Sequence, residues 1–343
     1  MRISLLFLKG VIESEALPIK TIGRLYGMNG DTLAKLYKHQ LSGFSNWAGL
    51  SVSKKRRVAY VAFPHNCGRD LSIDETFLTR GEVFTLVTNK AGKGKSGTLV
   101  ALINSVKSRE IIEVLEEAIP KAQRQRVKEI TSDLSSAMME AAHTSFPFAK
   151  LTNDRFHVQQ LVNEVMDEVR IKLRREARDK ENKEHELCIE EKATYKPSHL
   201  DNGETLLQAL ARCKHTFLTP RSKWTSDQEF RAEIIFDRYN GLRGTYELIN
   251  DFRALYNRRM TPDEARKRLL EWCQQALTLS KKQFATVVST IKNNLFTIAS
   301  YFRNRATNAS AESFNAKVKL FRTQLRGVSD TSFFIFRLTK LFA

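Results

Sequence analysis

Five short segments between residues 71 and 154 are predicted as strands, and apolar and polar positions alternate in the first of them. In the first segment, Leu71, Ile73 and Phe77 fall on one face of an extended chain, and Asp74 falls on the other. The predicted strands are residues 71–77, 83–88, 97–103, 127–131 and 150–154. Two helices are predicted between the last three strands, one over about 108–118 and one from about 135. This order of elements predicts an α/β fold with a mixed sheet.

The chain then becomes helical from residue 156 to about 305. One apolar stripe starts at Val158, and a second runs from Phe284 to Phe302, which predicts a helix of about six turns. Such stripes indicate packing rather than a cofactor site. A last helix is predicted over 310–322, with Phe314, Val318 and Phe321 on its buried face.

Residues 19–40 read as two short helices around a turn at Gly27–Gly30. Two interpretations fit this pattern: an ordinary helical hairpin, or a helix-turn-helix whose second helix presents Lys35 and Lys38 to a DNA groove. The charge of the chain favours the second. The residues that follow contain the basic run Lys54, Lys55, Arg56 and Arg57 with little periodicity, and we interpret them as a linker. Contact with phosphates and a solvated basic loop are equally compatible with this run.

The charge balance points to a polyanionic partner. The 343 residues include 56 Lys and Arg against 38 Asp and Glu, a net charge of +18. Nucleic acid is the first candidate and an anionic membrane surface the second. The four cysteines form no C-x-x-C pair, and the sequence shows no signal peptide and no apolar run long enough to span a bilayer. A cytoplasmic protein without a membrane partner is expected.

Three acidic residues occur in settings that could bring them to one metal site. Asp74 lies inside a strand pattern, Asp133 directly follows a short strand, and Glu312 lies early in a helix. Taken singly, each has a simpler explanation: a solvent-facing strand position, a turn or N-cap aspartate, and a first-turn glutamate that favours the helix dipole. Their combination in a basic chain favours a shared function.

Carboxylates from separate elements suit a metal-dependent reaction on nucleic acid. Mg²⁺ and Mn²⁺ prefer hard oxygen ligands, and two such ions can activate the attacking oxygen and stabilise the leaving oxygen in a phosphoryl displacement. Asn315, Lys319 and Arg322 share the helix face of Glu312. The basic side chains of Lys319 and Arg322 would therefore lie where DNA phosphates pass. The cofactor expected is Mg²⁺ or Mn²⁺, as two ions.

Five segments carry a resemblance to a known family. They are SIDETFL around Asp74, ITSDLSSAM around Asp133, NDRFHVQQLVNEVMDEVR from Asn153, YELINDFRALY from Tyr246, and TNASAESFNAKVKLFR from Thr307. In these five segments the chain resembles a bacterial insertion-sequence DDE transposase of the ISL-three group. The run DRFHV before a helix and the pattern N-x-x-x-E-x-x-N-x-K-x-K are the specific elements of this likeness.

The resemblance implies an RNase H-like catalytic core, a mixed five-stranded sheet with helices, whose metal ligands are Asp74, Asp133 and Glu312. The separation of 179 positions between Asp133 and Glu312 is too long for a bare core, so a large all-helical insertion between the last core strand and the catalytic helix is further implied. The domains expected are a helix-turn-helix (1–45), a basic linker (46–70), the first part of the core (71–157), the helical insertion (158–305) and the catalytic helix with the C-terminus (306–343).

Asp154 and His157 form a D-x-x-H pair that is similar to an element of related transposase groups. His157 contacts DNA in one interpretation, and in the other Asp154 caps the helix that His157 braces. Members of the group often begin with a cysteine-bearing zinc-binding segment, and this chain starts almost at the helix-turn-helix.

The function expected is a DNA transposase that binds insertion-sequence ends and catalyses metal-dependent strand cleavage and strand transfer. Its partners would be double-stranded DNA, as ends and target, and further copies of the chain in a dimer or higher assembly, associated with the bacterial nucleoid. Two alternatives remain open: a catalytically decayed transposase acting as a DNA-binding repressor, and a structure-selective nuclease on the same fold.

Overall fold

The computed structural model describes residues 4–79, 82–325, 328 and 330–343. Within them the strands are β1 (Ser51–Val52), β2 (Ala59–Ala62), β3 (Asp70–Thr79), β4 (Glu82–Asn89), β5 (Leu99–Ile103), β6 (Glu129–Ser132) and β7 (Lys150–Asn153). The α-helices of the first part are α1 (Leu5–Ser14), α2 (Ile19–Leu25), α3 (Gly30–Leu36), α4 (Ser108–Ala118), α5 (Lys121–Arg124) and α6 (Ser136–Ser145). Those that follow are α7 (Arg155–Glu190), α8 (Leu206–Phe217), α9 (Ser226–Arg238), α10 (Asn240–Asn257), α11 (Pro262–Asn293), α12 (Leu295–Asn304), α13 (Ala309–Gln324) and α14 (Thr331–Phe342).

The strands of the described residues form one mixed sheet in the order β1-β2-β5-β4-β3-β6-β7. β3 pairs antiparallel with β4 and parallel with β6, and β6 pairs parallel with β7. The sheet therefore has seven strands, and the prediction of five was wrong. The two extra strands lie in the segment that we interpreted as a linker. They are short, and β2 gains its strand conformation from pairing with β5, about forty residues later in the chain.

By its contacts the described chain divides into two compact units, Met1–Asp154 with Ala306–Ala343, and Arg155–Arg305. In the first unit, one face of the sheet is covered by α4 and α6, whose apolar side chains pack with Leu71, Ile73 and Ile130. The other face packs against α13 and α14 on the β2, β5 and β4 side. Phe314, Val318 and Phe321 of α13 all enter this second core, as their spacing predicted.

A third cluster in the first unit joins α1, α2 and α3. Leu8, Ile12, Ile22 and Leu33 are fully buried in it. α2 and α3 flank a turn in which Gly27 has a positive φ of 70°, and the Asn29 side chain accepts hydrogen bonds from the first amides of α3. The pair of helices predicted at 19–40 is therefore present.

The second unit is helical. Its core includes Trp272 of α11, whose ring is tilted against that of Phe252 with the centroids 4.7 Å apart, and whose indole N–H donates to the Leu248 carbonyl at 2.8 Å. The stripe from Phe284 to Phe302 was predicted to form one helix, and this prediction was wrong. The chain turns at Asn294, between α11 and α12. Among the residues that the structure describes, no helix combines the length and the apolar character needed to cross a membrane.

Candidate active site

Asp74 and Asp133 lie at equivalent positions on two adjacent parallel strands. The register of β3 and β6 pairs Ser72 with Thr131 and Ile73 with Ser132, so the next residues along are Asp74 and Asp133. Because paired positions of neighbouring strands point to the same face of a sheet, this register places the two residues on one face. The face they share is opposite to that of Ile73, which is fully buried under α4 and α6.

The same pattern extends to β7. Thr131 pairs with Thr152, and Asp154 follows Thr152 by two residues, as Asp133 follows Thr131 and Asp74 follows Ser72. We call Asp74, Asp133 and Asp154 the aspartate row. Asp154 is only 2% exposed, and its backbone N–H donates to the Ser132 carbonyl at 2.8 Å, which continues the pairing of β6 and β7 beyond Asn153.

Glu312 reaches this region on α13. It lies in the first turn of that helix, and Asn315 lies three residues later, where a helix presents both on nearly one face. The Asn315 amide donates to Asp74 Oδ2 at 2.7 Å and to the Glu75 carbonyl at 3.3 Å. A hydrogen bond to an ionised carboxylate is among the stronger ones in proteins. It ties the helix that carries Glu312 to the strand position that carries Asp74.

A second contact holds the start of the same helix. The backbone N–H of Asn308, the residue before α13, donates to Asp154 Oδ1 at 3.0 Å, and Asn308 is fully buried. The Asn308 carbonyl then accepts the backbone N–H of Glu312 at 2.9 Å. One carboxylate oxygen of Asp154 and one of Glu312 lie within 4.8 Å of each other. Asp154 therefore both anchors α13 and adds a carboxylate beside Glu312.

The electrostatics of the site are those of crowded acids. Burial raises the pKa of Glu75, and the nearby charge of Asp133 raises it further. Asp133 is stabilised locally, since its Oδ1 accepts the Ser135 N–H at 2.9 Å. The Asn153 amide also donates to the Asp133 carbonyl at 2.7 Å, which fixes the backbone at the end of β6. Repulsion between these carboxylates is the condition that a divalent cation relieves.

The donor set fits Mg²⁺ or Mn²⁺. Carboxylate oxygens on separate elements, two of them within 4.8 Å, are the hard ligands that these ions prefer. The hydroxyl and amide groups around them hold the carboxylates in place, which a metal site also requires. Asp154 and Glu312 supply this pair of oxygens.

The basic residues predicted to bind DNA have varied environments. Lys35, Lys54, Lys55, Arg57 and Lys319 are exposed. Arg56 is exposed as well, but its backbone N–H and that of Lys55 donate to the Glu113 carboxylate, and its guanidinium lies 3.5 Å from the same group. The loop around Lys54 to Arg57 is thus partly neutralised by α4.

Other predicted DNA contacts are engaged within the first unit. Lys38 pairs with Asp330 at 2.8 Å and lies over the rings of Phe44 and Phe333. Arg322 donates to the Phe77 carbonyl at 2.8 Å. His157 lies in the first turn of α7, at the start of the second unit, with its ring edge-on to Phe156 at 5.7 Å.

A repeated sequence pattern marks the three residues of the aspartate row, although none of them stands out when taken singly. The pattern of a hydroxyl residue, any residue and an aspartate occurs within β3 and at the ends of β6 and β7: Ser72-Ile73-Asp74, Thr131-Ser132-Asp133 and Thr152-Asn153-Asp154. This repetition marks equivalent positions on β3, β6 and β7. Glu75 and Lys90, which also lie near the row, had no such signal.

Two comparisons with known proteins gave a match. A family model described as "Transposase", for DDE enzymes of the ISL-three group, matches residues 71–338. The chain is also similar to the transposase for insertion sequence element IS1001 of Bordetella parapertussis, with 22% identity over 79% of this chain. It spans 60% of the length of that curated relative. No solved structure matches the chain. The family match covers most of the sequence, and the chain therefore belongs to the ISL-three group of insertion-sequence DDE transposases.

Proposed function

We propose that the protein cuts DNA at the ends of an insertion sequence and joins those ends to a target, in a metal-dependent reaction at Asp74, Asp133 and Glu312. The proposal is supported by the register of two adjacent strands and by one hydrogen bond from the helix that carries Glu312. Asp74 and Asp133 follow paired positions of adjacent parallel strands, and Asn315, one turn from Glu312, donates to Asp74 at 2.7 Å.

The topology supports an RNase H-like core. The strands β5-β4-β3-β6-β7 place one antiparallel strand, β4, between β5 and β3, and two parallel neighbours on the far side of β3. The aspartates lie on the central strand and on its parallel neighbour. In this proposal the helical unit Arg155–Arg305 is an insertion between the end of β7 and the catalytic helix α13.

The chemistry divides into two displacements at phosphorus. Water attacks a backbone phosphodiester, its oxygen bonds to phosphorus, and the bond to the 3′-oxygen breaks to leave a 3′-hydroxyl. That hydroxyl then attacks a target phosphodiester and releases a new 3′-hydroxyl there. Bound divalent ions supply activation of the attacking oxygen and neutralisation of the leaving one. Asp74, Asp133 and Glu312 hold the reacting centre, and Asn315 keeps α13 aligned over it.

The DNA-binding surface is proposed from the exposed cations. Lys319 lies two turns beyond Glu312 on α13, where it can contact a phosphate beside the reacting one. Lys35 on α3, with α2 before it, gives the arrangement of a helix-turn-helix, and Lys54, Lys55 and Arg57 add charge nearby in sequence. Simultaneous binding of two ends would need at least two copies of the chain.

The test is cleavage of labelled end DNA with Mg²⁺ or Mn²⁺ by the wild type and by Asp74→Asn, Asp133→Asn and Glu312→Gln. Each substitution should abolish cleavage and leave DNA binding intact. Glu140→Gln, which changes an exposed carboxylate on α6, is the matched control and should cut like the wild type. Unchanged cleavage by all three site variants would refute the proposal.

The same assay separates the two alternatives. A decayed transposase acting as a repressor would bind end DNA without cutting it under any metal. A structure-selective nuclease would cut branched DNA and show no preference for the element's ends over random duplex. The carboxylates and their supporting hydrogen bonds favour an active enzyme.

A further inference from the structure

A buried lysine lies beside the aspartate row and has no part in the proposed reaction. Lys90 follows β4, and its ammonium donates to the Thr131 hydroxyl and to Glu129 Oε1, the latter at 3.4 Å. Thr131 lies on β6, and β3 separates β4 from β6 in the sheet. The lysine side chain thus extends to the second strand along, and 18% of it is exposed.

The acceptor of Lys90 belongs to a row of hydroxyls directly below the aspartates. Thr88, Ser72, Thr131 and Thr152 occupy paired positions on four adjacent strands, and each is at most 2% exposed. We call them the hydroxyl row. On β3, β6 and β7 each aspartate follows a residue of the hydroxyl row by two positions. Side chains two positions apart on a strand point to the same face of the sheet. Lys90 therefore points to the same face as Asp74, Asp133 and Asp154.

The backbone holds Lys90 in this position. Asn89 caps the short turn Lys90–Gly92 by accepting the Ala91 N–H at 3.1 Å. Gly68 makes room for the Asn89 side chain, because a β-carbon at that position would clash with its amide group. A long, flexible lysine is costly to order, and the turn reduces that cost by directing the side chain across the sheet.

The charges around Lys90 are mostly acidic. Burial lowers the pKa of Lys90, while Glu129, Asp70 and Asp154 all act to raise it. A buried ammonium is retained only where nearby anions compensate its desolvation. Thr131, which accepts a hydrogen bond from Lys90, lies two residues before Asp133, so the ammonium lies beside the aspartate row.

We propose that Lys90 is a positioning residue for the carboxylate site, a basic side chain that holds the carboxylates together in the metal-free protein and weakens divalent-cation binding. The inference rests on the proposed metal site. A cation at the aspartate row would relieve the same repulsion that Lys90 offsets, so the ammonium and the metal compete electrostatically. Metal retention then depends on further anionic ligands, which a DNA phosphate supplies.

The test is titration of the DNA-free protein with Mn²⁺, with free Mn²⁺ measured by electron paramagnetic resonance. Lys90→Met should bind Mn²⁺ about tenfold more tightly than the wild type, the order expected when one unit charge is removed a few ångströms from a divalent ion. Lys90→Arg, which keeps the charge, should stay near the wild type. Lys95→Met, from the same loop and exposed, is the matched control and should bind within about twofold of it.

Thermal unfolding provides the second readout. Lys90→Met should unfold at a lower temperature than the wild type without metal, and saturating Mn²⁺ should narrow that difference. If the methionine variant does not fold, Lys90→Gln, which keeps a donor for Thr131, takes its place. A neutral variant that binds Mn²⁺ as the wild type does, or more weakly, would overturn the role of Lys90. A wild type that binds no Mn²⁺, or an Asp133→Asn variant that binds as well as it, would instead overturn the metal site and this inference with it.

Discussion

The Asn315 side chain donates a hydrogen bond to Asp74 Oδ2 at 2.7 Å, and this bond joins helix α13 to the central strand β3. Asn315 is 6% exposed, so the bond is shielded from water. It aligns the helix that carries Glu312 with the strand that carries Asp74, although 241 residues separate the two bonded partners.

Asn315→Ala should lower both the stability of the protein and its rate of cleavage, and the two effects can be measured separately. Loss of one partly buried hydrogen bond should lower the free energy of unfolding by about 1–2 kcal/mol. A misplaced Glu312 should reduce kcat for end cleavage by at least about tenfold, because small displacements of a positioned group are costly in catalysis. Urea unfolding and single-turnover cleavage measure the two effects. Ser313→Ala, an exposed change on the same helix, should alter neither; wild-type kcat in Asn315→Ala would contradict the alignment role.

Asp154→Asn tests whether the third member of the aspartate row acts as a charge. An asparagine oxygen can still accept the Asn308 N–H that Asp154 accepts at 3.0 Å, so the start of α13 should be preserved. Removing a carboxylate within 4.8 Å of Glu312 should still weaken Mn²⁺ binding, by about tenfold. Calorimetric titration measures this affinity. If binding is unchanged in Asp154→Asn and the fold is lost in Asp154→Ala, the role of Asp154 is anchoring alone.

Lys35 and Lys38 should differ in their effect on DNA. Lys35 is exposed, whereas Lys38 pairs with Asp330 and packs on two aromatic rings. Lys35→Met should weaken DNA binding and reduce the slope of log affinity against log salt by about one. Lys38→Met should instead lower stability, by about 1 kcal/mol or less, with little change in that slope. Fluorescence anisotropy over a range of KCl concentrations measures the slopes. A smaller slope in Lys38→Met would show that this lysine also contacts phosphates.

Acid stability of the helical unit should depend on Glu204. This residue is 7% exposed and accepts hydrogen bonds from Arg231 at 2.7 and 2.9 Å. The Arg231 hydrogen bonds lower the pKa of Glu204 from 4.5 to about 2. A lowered folded-state pKa stabilises the protein above the unfolded-state value, and the stabilisation is lost as pH falls from 4.5 towards 2. The stability difference between the wild type and Glu204→Gln should therefore shrink across that range in thermal unfolding. A difference that is constant with pH would contradict this assignment.

Much of the fold could be predicted from the local pattern of apolar and polar residues. β3 was predicted from its period of two, and β4 and β5 were predicted as short apolar runs, which are buried over most of their length. Helices α4 and α6 were predicted after β5 and β6. β1 and β2 were missed, since strands of two and four residues have too few positions to show a period. The break at Asn294 was missed because the apolar stripe continues across it.

The site was only partly readable from sequence. Asp74, Asp133 and Glu312 were predicted from their surroundings, but the register of β3 with β6 and the hydrogen bond from Asn315 to Asp74 needed the structure. Lys90 looked like one more solvated lysine in a glycine-rich turn, because the hydroxyl row that receives it comes from distant strands. Lys38 was predicted on a DNA-facing helix, and its pairing with Asp330 needed the position of the C-terminal helix.

The most direct test of the central claim is the position of Mn²⁺ in crystals of the protein, located by anomalous scattering. Our account predicts anomalous peaks at the aspartate row, within coordination distance of Asp74, Asp133 and Glu312, and their loss in Asp133→Asn. Full Mn²⁺ occupancy elsewhere, with no peak among these carboxylates, would contradict it.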